Sequence, residues 1–222
     1  MNYAVISHLY NEEKHLETML ESIYRQTIHP TGYFIVDDGS TDTTPDIIEQ
    51  HGHPTVTLYS QPETPAYTRR AIAFNVAVLN AIDKYDPTFL LKIDGDTEVE
   101  PEYVEKLLAY MNDPRCAASS GKGSLYDKTR DLNNGAVFYR SSTLPSAKTM
   151  YGWDREIQLE LTRQGYTFHV APNAHYIDLR PPTIMSPSIT RVIKNRVRKR
   201  LAEIEGKARR GVTTKSSNKP LK

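Results

Sequence analysis

A chain of 222 residues and 25.2 kDa is long enough to bury one sizeable core, with or without a tail, and too short for several large domains. Its 28 basic and 27 acidic residues leave a net charge of only +1, so nothing global points to nucleic acid or to an acidic partner. The single cysteine, Cys116, excludes an internal disulfide and fits a reducing compartment, and no stretch approaches the roughly 20 apolar residues of a membrane span.

The N-terminal run Met-Asn-Tyr-Ala-Val-Ile-Ser-His lacks the basic start and apolar length of a signal peptide, which leads us to expect a cytoplasmic protein. Tyr3 to Ser7 predicts a first strand. Asn11 is the expected cap of a helix in which Leu16, Met19, Leu20 and Ile23 recur at helical spacing. Tyr33 to Val36 predicts a second strand running into Asp37-Asp38-Gly39-Ser40. Thr43 or Thr44 then caps a helix with Pro45 in its first turn. Strand, helix, strand, helix within about 50 residues implies a parallel sheet. Val56 to Tyr59 is the third expected strand. The helix from Tyr67 to Lys84 is apolar on most sides and should lie between the sheet and another layer.

The apolar run Phe89-Leu90-Leu91 delivers Lys92-Ile93-Asp94-Gly95-Asp96. Alternation along a strand would turn Asp94 and Asp96 to one side, and the glycine would let the backbone approach a ligand. Two close carboxylates repel unless a cation neutralises them. A divalent ion such as Mg2+ or Mn2+, itself coordinated by phosphate oxygens, is the natural guest; a polar turn is the plainer account. Pro101 opens a helix through Tyr110. Short strands follow at Cys116 to Ser119 and Ala136 to Tyr139, joined by a polar loop from Gly121 to Asn134. Gly121-Lys122-Gly123-Ser124 lacks the spacing of a phosphate loop and reads as a flexible turn. Trp153-Asp154 opens a helix with Ile157, Leu159 and Leu161 inward, and Gly165 stops it. Tyr166 to Val170 is the last expected strand, with His175 beyond it after a Pro-Asn-Ala turn. Asp154 is either an N-cap or a general base, and His175 either a structural histidine or a ligand.

Ligands in open α/β sheets bind beyond the carboxyl ends of the strands, so Asp37, Asp38, Asp94 and Asp96 should line one edge. Their carboxylates suit ribose hydroxyls, a pyrimidine ring N–H, or a metal on a diphosphate, and Arg69 and Arg70 could pair with phosphate. The absence of Gly-x-Gly-x-x-Gly after the first strand argues against a dinucleotide cofactor.

Together, Tyr10-Asn11-Glu12-Glu13, Ser22-Ile23 with Gln26, Val36 to Thr44, Arg70-Ala71 with Ala73-Phe74-Asn75, Asp94-Gly95-Asp96, and Gly152-Trp153-Asp154 through Gly165-Tyr166 resemble the family 2 glycosyltransferases, in order from Tyr3 to about His175. The resemblance implies the GT-A fold, a Rossmann-like, mostly parallel sheet flanked by helices, and inverting transfer from a nucleotide-diphosphate sugar to an acceptor hydroxyl. It places Tyr10, Glu12, Asp37, Asp38, Arg70 and Asp94 on the donor, Asp94, Asp96 and His175 around the metal, and makes Asp154 the base. The acceptor could be a glycan, a lipid-linked glycan or a protein. Three positions depart from the family pattern: His8 stands for proline, Ala77 for glycine, and Trp153 for the glutamate before the aspartate.

Two other readings compete. Asp94-Gly95-Asp96-Thr97 also looks like the nucleophile motif of haloacid-dehalogenase-type phosphatases, although three strands precede it here. The Trp153 departure, in turn, suits a non-catalytic nucleotide-binding or interaction domain. The domain is expected over residues 1–180, a Pro-rich linker over 181–188, a basic amphipathic helix over 189–210, and a disordered tail over 211–222. That helix would either pack its apolar stripe on the domain or make peripheral contact with an anionic membrane on its inner face.

Overall fold

A computed structural model describes residues 2–58, 64–124, 132, 134–144 and 153–180. The expected linker, basic helix and tail, and most of the polar loop after Ser124, lie outside the described residues, as do the side chains of Tyr67, Trp153 and Asp154. The strands are β1 (Tyr3–Leu9), β2 (Gly32–Asp37), β3 (Thr55–Thr57), β4 (Phe89–Ile93), β5 (Thr97–Val99), β6 (Cys116–Gly123), β7 (Ala136–Arg140) and β8 (Thr167–Asp178). The helices are α1 (Leu16–Tyr24), α2 (Thr44–His51), α3 (Ala66–Tyr85), α4 (Tyr103–Leu108) and α5 (Trp153–Arg163).

All eight strands join one sheet in the order β3-β2-β1-β4-β7-β6-β8-β5. The half formed by β3, β2, β1 and β4 is parallel throughout; β7 runs antiparallel to β4 and β6, and β5 antiparallel to β8. Alternation along the strands divides the core into two clusters. Tyr3, Val5, Leu9, Tyr33, Ile35, Phe89, Leu91 and Ile93 belong to the cluster that also buries Leu16, Met19, Leu20 and Ile23 of α1 and Tyr103, Val104 and Leu107 of α4. Ala4, Ile6, Phe34, Val36 and Leu90 belong to the other, with Ala71, Phe74, Ala77 and Ala81 of α3 and Ile157 and Leu161 of α5. Helices on both faces of the sheet give a three-layer α/β/α arrangement. Among the described residues no helix is long and apolar enough to cross a membrane.

Several local expectations are corrected. Asn11 is not the cap of α1. It takes a positive φ of 54° in the loop, its N–H donates to Ser40 Oγ (2.9 Å), and its Oδ1 accepts from the Thr41 N–H (2.8 Å). Its short polar side chain tolerates that conformation and stitches the β1 loop to the β2 loop. Helix α3 is less enclosed than its composition predicts: Ile72 is 41% and Leu79 67% exposed, because alanines at 71, 73, 77 and 81 let the other side sit close on the sheet. In α5 the inward residues are Ile157, Gln158 and Leu161, while Leu159 is half-buried, as a helical rather than a strand-like period requires. Cys116 is a buried free thiol whose pKa burial pushes up, in keeping with a packing residue rather than a reactive one. Gln26, buried at the end of α1, donates to the Ser22 and Glu100 carbonyls (3.1 and 2.7 Å) and accepts from the Val104 N–H (3.1 Å), tying α1 to the start of α4.

The expected flexible turn Gly121-Lys122-Gly123 is strand. It continues β6 and pairs with β8, Lys122 opposite His175 and Gly123 opposite Tyr176. Gly121 is required by proximity: a Cβ there would lie 2.5 Å from the Ala174 carbonyl oxygen and 2.6 Å from the Tyr103 ring. Gly121→Ala is therefore expected to cost about 1–3 kcal/mol, read as a lower urea midpoint with an unchanged slope.

Candidate active site

Parallel pairing of β2, β1 and β4 brings the loops after Leu9, Asp37 and Ile93 to one edge of the sheet. β1 has β2 on one side and β4 on the other, so the chain order reverses there and a crevice opens beyond the strand ends. A cavity of about 310 Å³ occupies this place, lined by His8, Tyr10, Glu12, Asp38, Ala66, Arg69, Arg70, Lys92, Asp94, Gly95, Asp96 and Arg180. Of the residues read from the sequence, Tyr10, Glu12, Asp38, Arg70, Asp94 and Asp96 come together in it. The first turn of α3 faces the cavity through Ala66, Arg69 and Arg70, which adds the positive dipole end of the helix to two guanidinium groups.

The acids are matched by cations. Asp38, 5% exposed, has Arg69 Nε 3.6 Å from Oδ2, and the Arg69 guanidinium lies 5.3 Å from the Tyr10 ring centroid. Asp94 pairs with the buried ammonium of Lys92, which also donates to the Asn134 carbonyl. Arg180 Nη2 donates to both carboxylate oxygens of Glu12 at 2.6 Å, and its Nε stands 3.4 Å from Asp96 Oδ2. Burial pushes the Glu12 carboxyl up against the opposing pull of Arg180, while the same hydrogen bonds raise Arg180 itself. His8 is held neutral: burial, with Lys92 and Arg70 nearby, lowers its pKa to about 3.

Two of the residues singled out in the sequence lie outside the cavity. Asp37 is not among the residues lining the cavity. Both its oxygens accept from the Ser40 N–H (3.2 and 3.3 Å), and the Ser40 hydroxyl donates to one of them, so Asp37 shapes the turn that presents Asp38. His175 does not reach the cavity either. Strand β8 runs on past the expected end at Val170 to Asp178, and His175 lies exposed within it, its N–H donating to Glu100 Oε1 at 2.7 Å. The residue that leaves β8 beside the acids is Arg180, placed there because the Leu179 N–H donates to the Asp96 carbonyl at 2.7 Å. Only its place before two prolines sets Arg180 apart in the sequence, and that gave no signal.

The acidic motif differs in detail from its expected form. β4 ends at Ile93, and Asp94 to Asp96 form a tight turn closed by a Thr97 N–H to Asp94 carbonyl bond of 3.1 Å. Turn geometry, not strand alternation, brings both carboxylates to the cavity. Gly95 makes room for protein: a Cβ would meet Glu12 Cγ and Leu9 Cδ2 at 2.7 Å each. Hard carboxylate oxygens suit Mg2+ or Mn2+. Among the described residues no three His, Cys, Asp or Glu side chains are grouped to hold an ion unaided, so an ion on Asp94 and Asp96 would draw further oxygens from donor phosphates or water.

The sequence profile described as Glycosyl transferase family 2 matches residues 4–169. The chain belongs to that family. Among curated members of similar sequence, a putative glycosyltransferase EpsH of Bacillus subtilis (strain 168) is 31% identical over 106 residues, 47% of this chain and 29% of its own length. The poly(ribitol-phosphate) beta-N-acetylglucosaminyltransferase TarS of Staphylococcus aureus (strain Mu50 / ATCC 700699) is 30% identical over 119 residues, 51% of this chain and 19% of its own. The chain thus spans less than a third of either curated relative. Among solved structures, the mannosyltransferase PcManGT of Pyrobaculum calidifontis with GDP-Man and Mn2+ has a TM-score of 0.68 at 18% identity, over 82% of this chain and 58% of that one. S. aureus TarS 1-349 with UDP-GlcNAc has a TM-score of 0.63 at 20% identity, over 82% and 60%. These likenesses give family 2 membership and the GT-A-like sheet; the haloacid-dehalogenase alternative falls away.

Proposed function

We propose that this family 2 chain transfers a sugar, with inversion, from a nucleotide-diphosphate sugar to an acceptor hydroxyl. The observation that carries the reading is the meeting of Glu12, Asp38, Asp94 and Asp96 with Arg69, Arg70 and the start of α3 in one cavity at the carboxyl edge of the parallel strands. Anions and cations side by side suit a ligand with a hydrogen-bond-donating nucleoside at one end and a diphosphate at the other.

In this reading Asp38 accepts from the base or ribose, and Tyr10, stacked with Arg69, offers a flat face to the nucleoside. Asp94 and Asp96 would hold Mg2+ or Mn2+, which supplies charge neutralisation for the leaving diphosphate. Arg70 and the positive end of the α3 dipole face the same phosphates and favour their added negative charge as the anomeric C–O bond breaks. His8, neutral, can hydrogen-bond in the cavity without adding charge. Asp154, the second residue of α5, takes the proton of the acceptor hydroxyl as it attacks the opposite face of the sugar.

Uridine and guanosine diphosphate sugars are the first donors to test, since the TarS and PcManGT structures hold UDP-GlcNAc and GDP-Man. Melting of the full chain with each nucleoside diphosphate and its sugars, with and without Mn2+, checks the reading. One donor at a hundred times its dissociation constant should stabilise the fold by about 2.7 kcal/mol. A melting temperature that no nucleoside diphosphate or nucleotide sugar moves would count against the donor site itself.

A further inference from the structure

Resting on the donor-site reading above, we infer that Arg180 is an exchangeable internal cation that holds the seat of the divalent ion until the ion arrives. Three observations carry this. Asp38 and Asp94 have Arg69 and Lys92 beside them, whereas Arg180 is the cation bridging Glu12 and Asp96. Glu12 is held tightly: its side chain is 12% exposed and is packed against Gly95, so leaving it charged and uncompensated would be costly. Arg180, by contrast, is 47% exposed at the side chain and can swing its guanidinium into water without losing a packed position.

The backbone sets this up. The Leu179 N–H to Asp96 carbonyl bond fixes the Arg180 Cα beside the acidic turn whichever way its side chain points. A dication on Asp96 and a guanidinium 3.4 Å from the same carboxylate repel each other strongly, so they compete for one position. The exchange keeps the charge of the acid cluster balanced with and without the ion. It also makes the side chain that leaves a reporter of the ion that enters.

The test is Mn2+ binding to the full chain without nucleotide, followed by the paramagnetic signal of the free ion. Arg180→Gln, which removes the competing charge and leaves a shorter, neutral polar side chain, should bind Mn2+ about tenfold more tightly than the wild type. Arg180→Lys, cationic but without the forked donor that grips Glu12, should fall between the two. Adding Asp96→Asn to Arg180→Gln should cancel the gain. Equal or weaker Mn2+ affinity in Arg180→Gln, a gain that survives Asp96→Asn, or Mn2+ binding by none of the proteins would each overturn the inference. Nucleotide-sugar stabilisation of the wild type, measured with and without Mn2+, judges the donor reading separately.

Discussion

Asp154→Asn is expected to leave nucleotide-sugar binding unchanged and to lower turnover by about 10²–10⁴-fold, the range for removing a general base. Asparagine has the shape of aspartate, so α5 should keep its place. Its register is set further along the helix, where Ile157 and Leu161 are buried in the core cluster shared with α3. The lost property is the ability to accept a proton. Isothermal titration of the donor beside steady-state transfer kinetics separates the two effects. Turnover within tenfold of the wild type would show that another group is the base.

The second large effect is expected at Asp96. Asp96→Ala should reduce transfer by about 10³-fold or more and weaken Mn2+-dependent nucleotide binding, because a carboxylate that would hold the ion is gone. The fold should survive. The Leu179 N–H, just past β8, donates to the Asp96 backbone carbonyl, which alanine retains, and Arg180 keeps Glu12. Circular dichroism and a urea midpoint close to wild type, together with lost transfer, are the expected pair of results. Normal transfer by Asp96→Ala would remove the metal from the proposed mechanism.

The parallel half of the fold was legible because its signals are local. β1, β2 and β4 are apolar runs that end in acidic turns, α1 carries a helical period, and α2 is marked by a threonine cap with Pro45 in its first turn. The carboxyl-edge rule groups Asp37, Asp38, Asp94 and Asp96, and the last three line one cavity. The second half was read less well because its cues are not local. β5 has three residues, too few for a period, and is strand by virtue of pairing with β8. β8 carries Pro172 and Asn173, which suggest a turn, yet it stays in the sheet beside β6 through irregular register. That misplaced end put His175 where Arg180 stands. Asp37 falls outside the cavity for another reason: neighbouring aspartates look alike in a sequence, and only the Ser40 contacts tell turn-builder from cavity wall.

The strand order carries one more consequence. β4 and β5 are joined by three residues, yet β7, β6 and β8 lie between them in the sheet. Four flat inter-strand steps would span about 19 Å, whereas the four Cα steps from Ile93 to Thr97 reach about 14 Å even when fully stretched. The far strands must therefore curl back until β5 lies within that reach of the end of β4. Asp94-Gly95-Asp96 is the buckle of that loop of sheet, and its length is dictated by closure as much as by chemistry. An added residue there would slacken the belt and displace both carboxylates at once.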